Sequence, residues 1–199
     1  MIRILLGLLL VLCFASPAKA DLPLSIAGIT LGTSLSEYED MLQMQTLQAD
    51  RDALFVNEVS LRDNAINCIR GGSLITGNCT GDDKIIGIKL KFADRSKSLY
   101  ERLEKEYTQR FGKPTRWIGD PFHNVIAWEW IIREGDDVLS ITLSYSVVSD
   151  MRPGVSIKML LRSAWDKESV CYSEKHSRKK HKGMRNILVD DLSPFIPHH

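Results

Sequence analysis

Between residues 84 and 161 the chain alternates apolar and polar positions with period two in four runs, broken once by a stretch whose apolar positions recur every fourth residue. Period two is the signature of a strand with one buried face, and period four that of a helix lying on something. In the first run Ile86, Ile88, Leu90 and Phe92 share a side, with Lys89 and Lys91 opposite. The second sets Ile126, Trp128, Trp130 and Ile132 against Ala127, Glu129 and Ile131, and the third sets Leu139, Ile141, Leu143 and Tyr145 against Ser140, Thr142 and Ser144. The fourth turns Val155, Ile157, Met159 and Leu161 inward and Lys158 outward. The interruption, residues 98–114, predicts a helix. Ser98 and Glu101 have capping-box spacing, Leu99, Leu103, Tyr107 and Phe111 form the apolar stripe, and Gly112 and Pro114 mark the stop.

The first half of the chain repeats this order more weakly. Ser34 and Glu37 again have capping-box spacing, and Tyr38, Met41 and Leu42 predict a helix ending within residues 47–50. Residues 54–62 read as a strand with Phe55, Val59 and Leu61 on one side. A Gly-rich connection follows, and Gly81-Asp82-Asp83 precedes the first alternating run as Gly135-Asp136-Asp137 precedes the third. The expected fold is therefore α+β, an antiparallel sheet with two helices packed on one face, and residues 26–93 and 94–162 are candidate tandem copies of one helix-plus-hairpin unit.

Three features outside this pattern change the picture. Residues 1–20 have a positive Arg3, an apolar run and an Ala18-Lys19-Ala20 cleavage motif, which predicts a signal peptide and a mature chain from Asp21 in the periplasm or secreted. The apolar run is shorter than the roughly 20 residues a bilayer span needs, so no transmembrane anchor is expected. Setting Arg3 and Lys19 aside leaves 24 of the 26 basic residues against 25 acidic ones, and that balance gives no support to nucleic-acid binding. Residues 163–199 form a basic extension in which Lys175, Arg178, Lys179, Lys180, Lys182 and Arg185 occur with no acid among them, a candidate contact for an anionic surface. Ser163 and Asp166 offer caps for a short polar helix through Trp165 and Tyr172 at its start.

An oxidising compartment makes cysteine pairing the default. Cys68 and Cys79 bracket the Gly-rich connection and are the expected disulfide, which leaves Cys171 free or paired with a partner. Cys171, His176 and His181 are also a candidate zinc or copper set by residue type, although spacings of five do not bring them to one side of a helix. The two Gly-Asp-Asp motifs read as turns rather than cation sites. His123 is the single histidine within the domain, and no hydrolase or phosphate-loop motif accompanies it, so no catalytic residue or cofactor is assigned.

The segment from Leu31 to Leu42, together with the later RFGKPTRW and the Trp-bearing strand, resembles small exported helix-on-sheet modules: outer-membrane-assembly lipoproteins and the β-lactamase inhibitor protein, which carries two such units in tandem. The resemblance covers roughly residues 26–162 and implies a binding or scaffolding module of the bacterial cell envelope with an envelope protein as partner. A metal-handling protein or hydrolase, and a protein that binds anionic surfaces through its basic tail, are the alternative readings.

Overall fold

A computed structural model describes residues 22–148 and 153–177. The predicted signal peptide, Arg178, Lys179, Lys180, His181, Lys182 and Arg185 lie outside the described residues. A small hairpin, β1 (Ser25–Ile26) and β2 (Ile29–Thr30), turns through Ala27 and Gly28 at positive φ and drives Ile29 and Leu31 into the core. Next come β3 (Leu42–Ala49), β4 (Val56–Leu61), β5 (Ile69–Gly77) and β6 (Ile85–Phe92), then helix α1 (Lys97–Phe111). The chain continues through β7 (Arg116–Trp117), β8 (Val125–Glu134), β9 (Asp137–Ser146) and β10 (Gly154–Leu161) into helix α2 (Arg162–Ser177). Eight strands make one antiparallel sheet in the order β3-β4-β5-β6-β10-β9-β8-β7. Each half is thus a four-stranded meander preceded by a helical segment, and the halves meet where β6 pairs with β10. The two Gly-Asp-Asp turns fall at inequivalent connections, β5 to β6 and β8 to β9, so they do not align the halves.

The two predicted helices do cover one face. The first is a short 3-10 segment, Leu35–Met41, capped by Ser34 and burying Leu35 in the main core with Tyr38 and Met41 packed beside it. It does not continue to residue 47. Leu42 is already extended, and residues 42–49 form an edge strand paired with β4, because the apolar spacing lasts one turn and the backbone then finds its partners in the sheet. Helix α1 is the longer cover. Its cap is Ser96, whose hydroxyl accepts the Leu99 N–H at 3.1 Å, two residues ahead of the predicted Ser98. Leu99, Leu103, Tyr107 and Phe111 pack on the core as expected, and Gly112 ends the helix at φ 81, a conformation that favours glycine.

Trp130 pins the end of α1 to the sheet. Its ring meets Tyr107 edge to face at 5.6 Å, and its indole Nε1–H donates to the Gly112 carbonyl at 2.9 Å, supplying a donor to an acceptor at the helix end. Tyr100, absent from the four-residue stripe, is the fully buried residue of α1, and its hydroxyl has no hydrogen-bond partner. A buried orphan hydroxyl costs on the order of 1 kcal/mol or more. Tyr100→Phe is therefore expected to raise stability by about 1 kcal/mol in denaturant unfolding, and a destabilised variant would contradict the burial described.

The opposite face of the sheet carries a second, smaller core: Ala53, Val56, Ile75 and Ile86, with Phe55, Ala164 and Trp165 packed against them. Ile86 reaches that side because the β5–β6 register slips, Ile75 pairing with Gly87 and Thr76 with Ile85. The extra residue turns Ile85 into the main core and sends Ile86 away from Ile88, against the simple alternation. Helix α2 lies over this second core and extends to Ser177, so the folded unit runs past residue 162, where the polar extension was expected to begin.

Candidate functional site

The register of the sheet lines up one side chain from each strand on the α2 side. Arg116 faces Glu129, Glu129 faces Thr142, Thr142 faces Lys158, and Lys158 faces Lys89. The row continues through Ser73 and Ser60 to Gln43. All eight residues are polar. Directly opposed positions on antiparallel strands share a face, so this is one continuous polar band across the sheet. Beside it run Ser144, Ser156 and Lys91, with the Ser144 and Ser156 hydroxyls 2.8 Å apart.

Charge along the band is organised by two buried or half-buried acids. Glu58 takes Lys89 at 2.9 Å and the Ser73 hydroxyl. Glu129, 3% exposed, is bonded by Arg116 through Nε and by Arg162 through Nη2 at 2.6 Å. Pairing with hydrogen bonds is what makes a carboxylate tolerable at that burial. With Lys91 and Lys158 included, five basic side chains gather on this face, and Asp50 stands beside the Glu58–Lys89 pair as a third acid.

One end of the face is closed by α2, and the closure is chiefly polar. Glu168, the fully buried residue of the helix, accepts from the backbone N–H groups of Asn78 at 3.2 Å, Cys79 at 2.7 Å and Thr80 at 3.2 Å, and from the Thr80 hydroxyl. Consecutive N–H groups converging on a carboxylate make an anion nest. Gly77 is required beside it, since a β-carbon there would meet the Glu168 carboxylate. Lys175 Nζ donates to the Cys79 carbonyl at 2.6 Å, and Trp165 meets Phe55 edge to face at 5.0 Å.

The disulfide belongs to this closure. Cys79 bonds Cys171 of α2, and Cys68 is an exposed free thiol, which corrects the expected Cys68–Cys79 pair. The physical reason is that residues 69–77 form strand β5 rather than a loop. Nine extended residues separate the two cysteines by roughly 30 Å, several times the reach of a disulfide. A bonded Cys171 cannot also serve in the zinc or copper set with His176 and His181, and no metal-binding group of three or more His, Cys, Asp or Glu occurs among the described residues. His176 stacks on Tyr172, with its Nδ1 2.8 Å from the Tyr172 carbonyl. Lys175, expected in a free basic extension, is instead part of the helix clamp.

His123 stands in the β7–β8 loop against Trp117, 5.4 Å between rings, which places it in an aromatic corner. The loop is fixed by Asp120, which accepts the Phe122 N–H at 2.7 Å and also the Val125 N–H. Burial works to raise the Asp120 pKa, but the N–H donors of Val125, Phe122 and Asn124 outweigh it and hold the carboxyl below its usual range. The polar band itself had been half visible in sequence, as the non-core residues of each alternating run. What no run could show was which polar residue of one strand stood opposite which of the next.

The geometry defines an α+β protein whose sheet is covered on one face and partly open on the other. No family model matches the chain, and neither the curated proteins nor the solved structures contain a match to it. No helix among the described residues is long and apolar enough to cross a membrane.

Proposed function

We propose that the chain is an exported binding module of the cell envelope that holds an acidic protein surface against the open part of its sheet. The observation that carries this reading is the polar band running through all eight strands, with five basic side chains gathered on its face. Rigid strands present these groups at fixed spacing, which is what complementary recognition of a charged surface requires. The leader-like residues 1–20, the disulfide and the resemblance to exported helix-on-sheet modules support an envelope location.

The test is affinity capture from the envelope fraction with residues 21–199, followed by binding of the purified captured protein to the wild type and to a Lys89→Glu/Lys158→Glu double variant. The expected result is a loss of about tenfold to a hundredfold in affinity, with wild-type binding that weakens as salt rises. Equal binding by the double variant, or affinity indifferent to salt, would remove the acidic-partner reading.

A further inference from the structure

On the part of the sheet away from α2, a cavity of about 330 Å³ opens between the β4–β5 connection and the end of β6. Its lining includes Asn64, Asn67, Cys68, Arg70 and Ala93. The backbone there is held open: Asn64 and Cys68 both sit at positive φ, and the Ala93 N–H donates to the Cys68 carbonyl at 2.8 Å. Arg70 is the charged member of the lining. Its Nε donates to the Phe92 carbonyl at 3.1 Å and its Nη2 to the Pro153 carbonyl at 2.6 Å. Carbonyl oxygens satisfy hydrogen bonds but bring no formal charge, so these two contacts leave the guanidinium's positive charge in place.

A second guanidinium compounds this. Arg95 lies close enough for its field, after burial, to lower the pKa of Arg70, and its stem packs on the Gly154 backbone. No carboxylate among the described residues lies within 4.0 Å of either guanidinium. The neighbouring Asp94 is engaged elsewhere, accepting the Ser96 N–H at 2.8 Å. A charged Arg70 in the lining, repelled by Arg95 from outside it, together with the amide side chains forms an environment that an anion would relieve.

From this arrangement we propose that the cavity beside Arg70 is a binding site for a phosphate-type oxyanion, held by Arg70 and the Asn64 and Asn67 amides, with Arg95 adding its charge. The site is separate from the sheet-face contact and does not depend on it. A phosphoryl group could arrive free, on a soluble ester, or as a lipid headgroup, and the chemistry of the cavity is the same for all three.

Cys68 provides the readout, because it lines the cavity and is the free thiol of the described residues. The experiment follows the rate at which iodoacetamide, an uncharged reagent, alkylates Cys68 in residues 21–199 during titration with inorganic phosphate, ionic strength being held constant with chloride. Phosphate is expected to slow the reaction saturably. Arg70→Gln is expected to abolish the protection, but it also removes two structural bonds, one to the end of β6 and one to the start of β10. The exposed Arg95→Gln is therefore the deciding variant, expected to raise the phosphate needed about fivefold. An unchanged rate in the wild type, or protection that Arg95→Gln leaves unaltered, overturns the assignment. Vesicles of phosphatidylglycerol separate the sources. Protection by phosphate and vesicles alike assigns a headgroup, and protection by phosphate alone assigns a soluble ligand. Protection by vesicles alone overturns the proposal, since covering the surface would not require the cavity.

Discussion

Replacing Glu168 with alanine is expected to lower stability by roughly 3 kcal/mol and the midpoint of thermal unfolding by roughly 10 °C. Three backbone N–H groups and a threonine hydroxyl would lose their acceptor where α2 shields them from water. The apolar contribution of α2 cannot make good the loss, since Ala164 and Trp165 are its members in the second core and both are only partly buried. Glu168→Gln separates charge from shape. Its one remaining carbonyl oxygen cannot satisfy all four donors, and its NH2 would face N–H groups, so it is expected to recover only part of the deficit. Full stability in Glu168→Gln would mean that one oxygen suffices and that the nest is less closed than the distances indicate.

The second large effect concerns the cysteines. Closing a loop across a sequence separation of 92 residues stabilises by about 4 to 5 kcal/mol on the chain-entropy model, so Cys79→Ser/Cys171→Ser should unfold at markedly lower denaturant. Cys68→Ser should leave stability within about 0.5 kcal/mol of wild type, as for an exposed position without partners in the core. Peptide mapping of residues 21–199 under non-reducing conditions should join the peptides bearing Cys79 and Cys171, with one thiol open to alkylation. A Cys68–Cys79 link would contradict the strand assigned to residues 69–77.

These two predictions also bear on how binding should be measured. A chain cut at residue 162 loses Glu168, Cys171 and Lys175 together, and with them the cover over Phe55, Val56, Ile75 and Ile86. Loss of a partner from such a chain would report unfolding of the second core. A chain ending at Ser177 keeps α2 and isolates the contribution of residues 178–199.

The parts of the fold legible in the sequence were those in which one local period served one buried face. The runs in β8, β9 and β10, the α1 stripe and its Gly112 stop all lie over the main core, and each was readable without knowledge of its neighbours. The misread elements shared a different property. Strand β5 carries Gly71, Gly72 and Gly77, which read as a loop, yet Gly72 and Gly77 are small because a backbone or a carboxylate approaches them closely. Strand β3 lies at the sheet edge with little apolar area of its own, so only pairing with β4 makes it a strand.

The sequence by itself therefore determined the α+β class, the long helix and the strands that bury one apolar face, because local periodicity and helix signals are written in neighbouring residues. Tertiary structure alone decided the cysteine pairing, the docking of α2 through a buried carboxylate, and the assembly of a polar band from eight strands. Each of these joins residues far apart in the chain, 92 positions in the case of Cys79 and Cys171, and hydrogen-bond register and charge pairing exist only once the strands lie side by side.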